Sequence, residues 1–132
     1  MFNEADDCDT SVCMLRFENG VLGVVENARH SNWGYDIRTE VAGSIGKVVI
    51  EGANKTPITH FTNSESRADV FDCFPDRFEA AYKLQLEAFF TSLQNGTPPN
   101  PGVNEALATL RLALAARTSW REKRPVKVSE VV

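Results

Sequence analysis

Residues Asp76 to Pro101 read DRFEAAYKLQLEAFFTSLQNGTPPNP, and here the chain changes character. Phe78, Tyr82, Leu86, Phe89 and Leu93 recur at intervals of three or four, which predicts one apolar stripe along a helix. Pro75 and Asp76 suit a helix's first turn: a missing N–H costs nothing there, and a negative charge meets the positive end of the dipole. Gly96 closes the helix and the prolines beyond it forbid continuation. A second helix is predicted from about Val103 to Arg121, with a Val103, Leu107, Leu110, Leu114 stripe and many alanines that allow close packing. Pro125 breaks it, and Val126 to Val128 are read as a last strand.

Everything before residue 74 reads as strands. Thr10 to Phe17 is β-compatible, Glu18-Asn19-Gly20 is a hairpin turn, and Val21 to Arg29 returns. Residues 30–34, HSNWG, form an irregular crossing. Tyr35 to Ala42 alternates, with Ile37, Thr39 and Val41 opposite Asp36, Arg38 and Glu40, so it is predicted as a strand. The turn Gly43 to Gly46 leads to a strand at Lys47 to Glu51, and Thr56 to Thr62 is another, at an edge or strand start because Pro57 cannot donate to a ladder. Strands first and helices after predict an α+β fold: a mostly antiparallel, mixed sheet with two C-terminal helices on one face. The first strand is apolar on both sides, with Val12 and Met14 opposite Cys13, Leu15 and Phe17. A sheet with one wet face should show one polar side, so the second face is expected to serve oligomerisation.

The 132 residues suffice for one domain, taken as 1–132. The apolar fraction of 42% and charged fraction of 24% are ordinary for a globular protein. The net charge is −4, from 18 acidic and 14 basic residues without blocks of either sign, which argues against nucleic acid as a partner. No apolar run spans a bilayer and the acidic N-terminus does not read as a signal peptide, so no membrane role and a cytoplasmic location are expected. Cys8, Cys13 and Cys73 are odd in number and lack CxxC spacing, so they read as inert thiols. The glycosylation-type triplets at Asn54 and Asn95 are read as chance.

Little in the chain suggests catalysis. No dinucleotide fingerprint or P-loop occurs, and the glycines of residues 43–46 lie between strands and open no helix. His30 and His60 are the only histidines and lack partners at metal spacing. His30 could serve as a base, but a solvated loop histidine is the plainer reading. Trp33 and Tyr35 flank Gly34; as large aromatics they fit a core or interface, or else the mouth of a pocket where Tyr35 bonds a substrate hydroxyl. Arg111, Arg117, Arg121, Lys123 and Arg124 complement the second helix's dipole. Glu122 to Pro125, EKRP, is a decoy for a Glu-Lys-Pro triplet, since an arginine is inserted.

The stretches DTSVCMLRFENGVLGVVENAR (9–29), YDIRTEVAGSIGKVVIE (35–51), DRFEAAYKLQLEAFFTSLQNGTPPNP (76–101) and ALATLRLALAARTSWREKRPVKV (106–128) resemble, in order, the C-terminal domain of the Gfo/Idh/MocA oxidoreductases. Within that family the chain looks like the inositol 2-dehydrogenases. The resemblance implies a parent enzyme in which an N-terminal Rossmann domain binds NAD or NADP and this domain supplies substrate pocket and homo-oligomer interface. The family's catalytic lysine, and its aspartate and histidine on a helix, have no counterpart in these residues, so no catalytic residue is carried over. The chain reads as lacking the Rossmann domain and the second domain's first helix. Alone it is expected to bind no cofactor and to be inactive. Tyr35 matches the family's substrate-contacting tyrosine, Trp33 stands where a tyrosine often precedes it, and Asp36 matches by position with an expected structural role. The alternative is a non-catalytic assembly or small-polyol-binding module.

Overall fold

The computed structural model describes residues 7–50 and 52–131. The chain is α+β, as expected, and divides into two compact units, Met1–Tyr82 and Lys83–Val132, with the division falling inside the first helix. The first unit is built from three antiparallel hairpins: β1 (Thr10–Arg16) with β2 (Leu22–Ala28), β3 (Thr39–Gly43) with β4 (Gly46–Ile50), and β5 (Asn54–Phe61) with β6 (Ser66–Val70). Among the described residues each pair forms its own two-stranded ladder, in place of the single mixed sheet expected.

The β1–β2 turn follows from its sequence. Gly20 takes φ +86°, a conformation glycine adopts without a Cβ penalty. Asn19 Oδ1 accepts the Val21 N–H at 3.1 Å, and Phe17 and Val21 close the loop with an N–H···O bond of 2.9 Å. The β3–β4 turn is a two-residue loop between paired Gly43 and Gly46. In β5 the register with β6 shifts between Asn54 and Thr59, the segment that holds Pro57. β6 was not foreseen. Its turn is tied by Thr62, whose N–H donates to Glu65 O at 2.8 Å and whose Oγ1 accepts the Glu65 N–H at 3.2 Å.

The strand expected from Tyr35 begins only at Thr39. Residues 35–38 spend their backbone groups elsewhere. Tyr35 N–H donates to Phe71 O at 2.6 Å, while Tyr35 O and Ile37 O accept from the Arg77 guanidinium at 3.1 and 2.5 Å. The carbonyls a neighbouring strand would use are thus taken by a side chain. Gly34 makes the preceding bend at φ +113°, where an added Cβ would lie 2.8 Å from Val70 Cβ. Glu51, expected to end a strand, lies outside the described residues.

Helix α1 runs Phe74–Asn95 and α2 Val103–Glu122, close to the sequence reading. Phe78 leaves helical geometry, at φ −112° and ψ 21°, which kinks α1 after its first turn. Gly96 follows α1 at φ +63° and Lys123 caps α2 in the left-handed region. At the start of α2 the Glu105 carboxylate accepts the Gly102 N–H at 2.8 Å. Hydrogen bonds from its own N–H and from Gly102 hold the Glu105 carboxyl below its ordinary range. The final strand expected at Val126–Val128 is absent; Val128–Glu130 is a 3₁₀ turn instead. Glu130 decides this, accepting the Lys127 N–H at 2.8 Å and the Arg124 guanidinium at 2.9 Å.

Ala115 is the one buried apolar residue among the described residues. Along β1, Cys13 and Leu15 are half-buried while Val12 and Met14 are exposed. Val24 pairs with Met14 and is exposed too, as are Val41 and Val48, which pair in the second hairpin. Cys8 and Cys13 are half-buried and Cys73 is exposed, all as free thiols.

Gly34→Ala should lower stability by roughly 2–3 kcal/mol, since it combines an unfavourable φ with a clash. Gly20→Ala, also at positive φ but with no atom within 4 Å of the new Cβ, should cost only about 1 kcal/mol. Urea midpoints for the two variants check this; equal losses would refute the clash at Val70.

Candidate functional site

The crossing at residues 31–38 and the start of β5 border an open depression, or cleft, of about 680 Å³ within the first unit. Trp33, Asp36 and Arg38 line one side; Asn54, Lys55 and the backbone from Gly52 to Pro57 line the other. Ser31 opens the crossing: its Oγ donates to Gly34 O, and Gly34 N–H returns to Ser31 O at 3.3 Å. That turn, with the bend at Gly34, separates the two aromatics by direction. Trp33 is exposed on the cleft, and its Nε1–H donates to Asp36 Oδ2 at 3.3 Å. Tyr35 does not line the cleft. Its ring packs on the first turns of α1, 6.4 Å from the Phe74 ring and 6.3 Å from Phe78, edge-on to the latter. The structure therefore does not put Trp33 and Tyr35 on one face, as a continuous strand would have done. Among the described residues the Tyr35 hydroxyl has no hydrogen-bond partner.

Asp36 is the hub of the polar lining. Oδ2 takes the Trp33 indole and stands 3.4 Å from Arg38 Nε. Oδ1 is buried and finds no partner among the described residues, and the side chain is only 16% exposed. A buried carboxylate oxygen with spare acceptor capacity is costly to hold, and such atoms gather at functional sites. Across the cleft, Lys55 Nζ lies 2.6 Å from Asp76 Oδ2 and 5.8 Å from the centre of the Phe71 ring. The hydrogen bond to Asp76, helped by the charges of Asp76, Asp72 and Asp69, holds the Lys55 ammonium above its usual range. Each cation facing the cleft thus has its own carboxylate, Arg38 with Asp36 and Lys55 with Asp76. The lining itself holds Asp36, Arg38 and Lys55, and Asp76 behind it pairs with the lysine. It offers an aromatic wall from Trp33, amide and hydroxyl groups from Asn54 and Thr56, and the paired charges. Those are the means of holding a neutral polyhydroxy compound, which both donates and accepts along its rim.

Sequence reasoning reached Trp33, Tyr35 and Asp36 but missed Arg38, Asn54 and Lys55. Arg38 had a signal, since i and i+2 share a side in extended chain. Lys55 had none, because its partner is 21 positions away on another element. His30 and His60 do not line the cleft.

The chain belongs to the Gfo/Idh/MocA oxidoreductases: residues 2–128 match the family's C-terminal alpha/beta domain. It is 35% identical over 130 residues to a myo-inositol 2-dehydrogenase of Thermotoga maritima, covering 98% of this chain and 39% of that protein. It is 33% identical over 122 residues to the scyllo-inositol 2-dehydrogenase (NAD(+)) of Bacillus subtilis, covering 92% of this chain and 36% of that protein. The fold matches the crystal structure of a probable dehydrogenase from Thermotoga maritima with a TM-score of 0.91 at 34% identity, over 98% of this chain and 39% of that one. It matches a myo-inositol dehydrogenase from Corynebacterium glutamicum with a TM-score of 0.86 at 31% identity, over 92% of this chain and 37% of that one. The chain therefore spans less than two fifths of the length of these relatives. Among the described residues no helix is long and apolar enough to cross a membrane.

Tyr35→Ala should destabilise the chain by about 2 kcal/mol through lost packing on Phe74 and Phe78. Tyr35→Phe should stay within about 0.5 kcal/mol of wild type. Thermal unfolding of both variants tests this, and a Phe variant as weak as the Ala variant would show that the hydroxyl holds the fold.

Proposed function

We infer that this chain is the substrate-pocket and oligomerisation domain of an NAD(P)-dependent dehydrogenase acting on inositol or a related sugar or polyol. The observation that carries the reading is the family match along nearly the whole chain, with inositol dehydrogenases as relatives. The charge-compensated cleft supports it independently, because a neutral ring of hydroxyls is the ligand it suits. In this reading Trp33 stacks on the substrate's apolar ring face. Asp36 and Asn54 receive and donate hydrogen bonds to its hydroxyls. Tyr35 lies outside this cleft, with its ring on Phe74 and Phe78, and would meet substrate only from that separate side of the crossing.

These residues do not suit a dinucleotide. Phosphates are held by free N–H groups at a helix start. At α2 the Gly102 N–H is bonded to the Glu105 carboxylate, and α1 opens with Pro75 and Asp76, a residue without an N–H and a negative charge. The isolated chain is expected to be inactive. Hydride transfer requires the cofactor against the substrate and a base within reach. Mixing the chain with NAD and myo-inositol should produce no NADH absorbance; sustained turnover would overturn this part of the reading. Titrating myo-inositol at millimolar concentrations should perturb tryptophan emission, while silence in the same titration would favour the non-catalytic assembly module.

The assembly role rests on the uncovered apolar faces of the hairpins, Val12, Met14 and Val24 on one and Val41 and Val48 on another. Patches of this kind on a soluble chain mark interfaces. Sedimentation at micromolar concentration should show self-association that weakens in a Met14→Lys variant. A monomer would remove the interface from the proposal.

A further inference from the structure

We propose that Arg77 is a positioning residue for the cleft. Its guanidinium fork fixes the backbone around Asp36 and so sets how the Asp36 carboxylate is presented. The functional consequence rests on the polyol reading above, whereas the geometry does not.

Residues 35–38 lie in no strand, so no ladder holds them. The hydrogen bonds at Tyr35 N–H, Tyr35 O and Ile37 O run to one short segment, Phe71 to Phe78. Tyr35 N–H is bonded to Phe71 O at 2.6 Å, which orients the peptide before Tyr35. Arg77 Nη1 donates to Tyr35 O at 3.1 Å and Nη2 to Ile37 O at 2.5 Å. Those two carbonyls bracket Asp36. With both held, the direction in which the Asp36 Cα–Cβ bond leaves the backbone is set, and the carboxylate keeps a buried Oδ1 without a partner among the described residues. The fork is held in its turn: the guanidinium carbon sits 5.2 Å from the Phe78 ring centre and 5.9 Å from that of Phe71.

Lysine cannot replace this arrangement. Its ammonium is a single point, whereas two nitrogens of a rigid plane reach carbonyls two residues apart while stacking on the rings. Arg77 is not among the residues that line the cleft. It acts through Asp36, in the way supporting groups orient the residues that do make contact.

The test uses the 132-residue chain carrying Trp120→Phe, so that Trp33 alone emits. In this protein the ¹⁵N-labelled Arg77 side chain should show restricted guanidinium rotation and slowly exchanging Nη protons; a freely rotating group would overturn the proposal without any substitution at Arg77. In Arg77→Lys the far-UV circular dichroism should be unchanged. The Tyr35 amide should exchange roughly tenfold faster and the Trp33 emission should shift. The myo-inositol midpoint should weaken by about tenfold. Unchanged Tyr35 protection and Trp33 emission in that variant would overturn the positioning role. If the parent protein does not respond to myo-inositol while the Tyr35 amide still loses protection in Arg77→Lys, the polyol reading fails and the positioning of Asp36 stands.

Discussion

Apolar side chains without cover constrain everything else in this chain. Among the described residues only Ala115 is buried, while valines, leucines and phenylalanines of the hairpins and of α1 lie open. Order is therefore kept by local means. Each hairpin has its own ladder and its own turn chemistry, and each helix has its own start and stop signals. The two-sided apolar character of β1, visible in Val12 and Met14 against Cys13 and Leu15, is the same fact written in the sequence. Most of the apolar surface these residues carry is therefore open in this chain.

The first turn of α1 links fold to site. Asp76 reaches Lys55 on the cleft wall, Arg77 takes the carbonyls on either side of Asp36, and Phe78 receives the Tyr35 ring edge-on. Three consecutive residues thus serve three different parts of the site. The departure of Phe78 from helical geometry falls at this point. Neighbouring positions on an ideal helix point about 100° apart, and the kink is where the chain departs from that spacing.

Both helices were legible in the sequence to within a residue or so, because period and capping residues agree there. The first hairpin was legible from Glu18-Asn19-Gly20 alone. What could not be read depends on partners far along the chain. The alternation from Tyr35 to Arg38 looks like a strand, and only Arg77, some forty positions later, takes its carbonyls away. The last strand was lost to Glu130, whose carboxylate bonds Lys127 and Arg124 and winds the segment into a turn. β6 is short, with weak alternation in Ser66–Val70, and its hairpin is set by hydroxyl bonds of Thr62 that no periodicity reports. At the site, Trp33 and Tyr35 were found by residue type, but their opposite directions follow from the positive φ of Gly34, which the sequence does not declare.

The pairing of each cleft cation with its own carboxylate also bears on how a ligand arrives. Each opposed pair, 2.6 or 3.4 Å apart, cancels most of its own field a few ångströms from the wall. A neutral ligand carries no net charge for a surrounding field to steer, so it would reach the cleft by unguided diffusion. Its capture would then be nearly indifferent to ionic strength, in contrast to sites that gather charged metabolites through an unbalanced field.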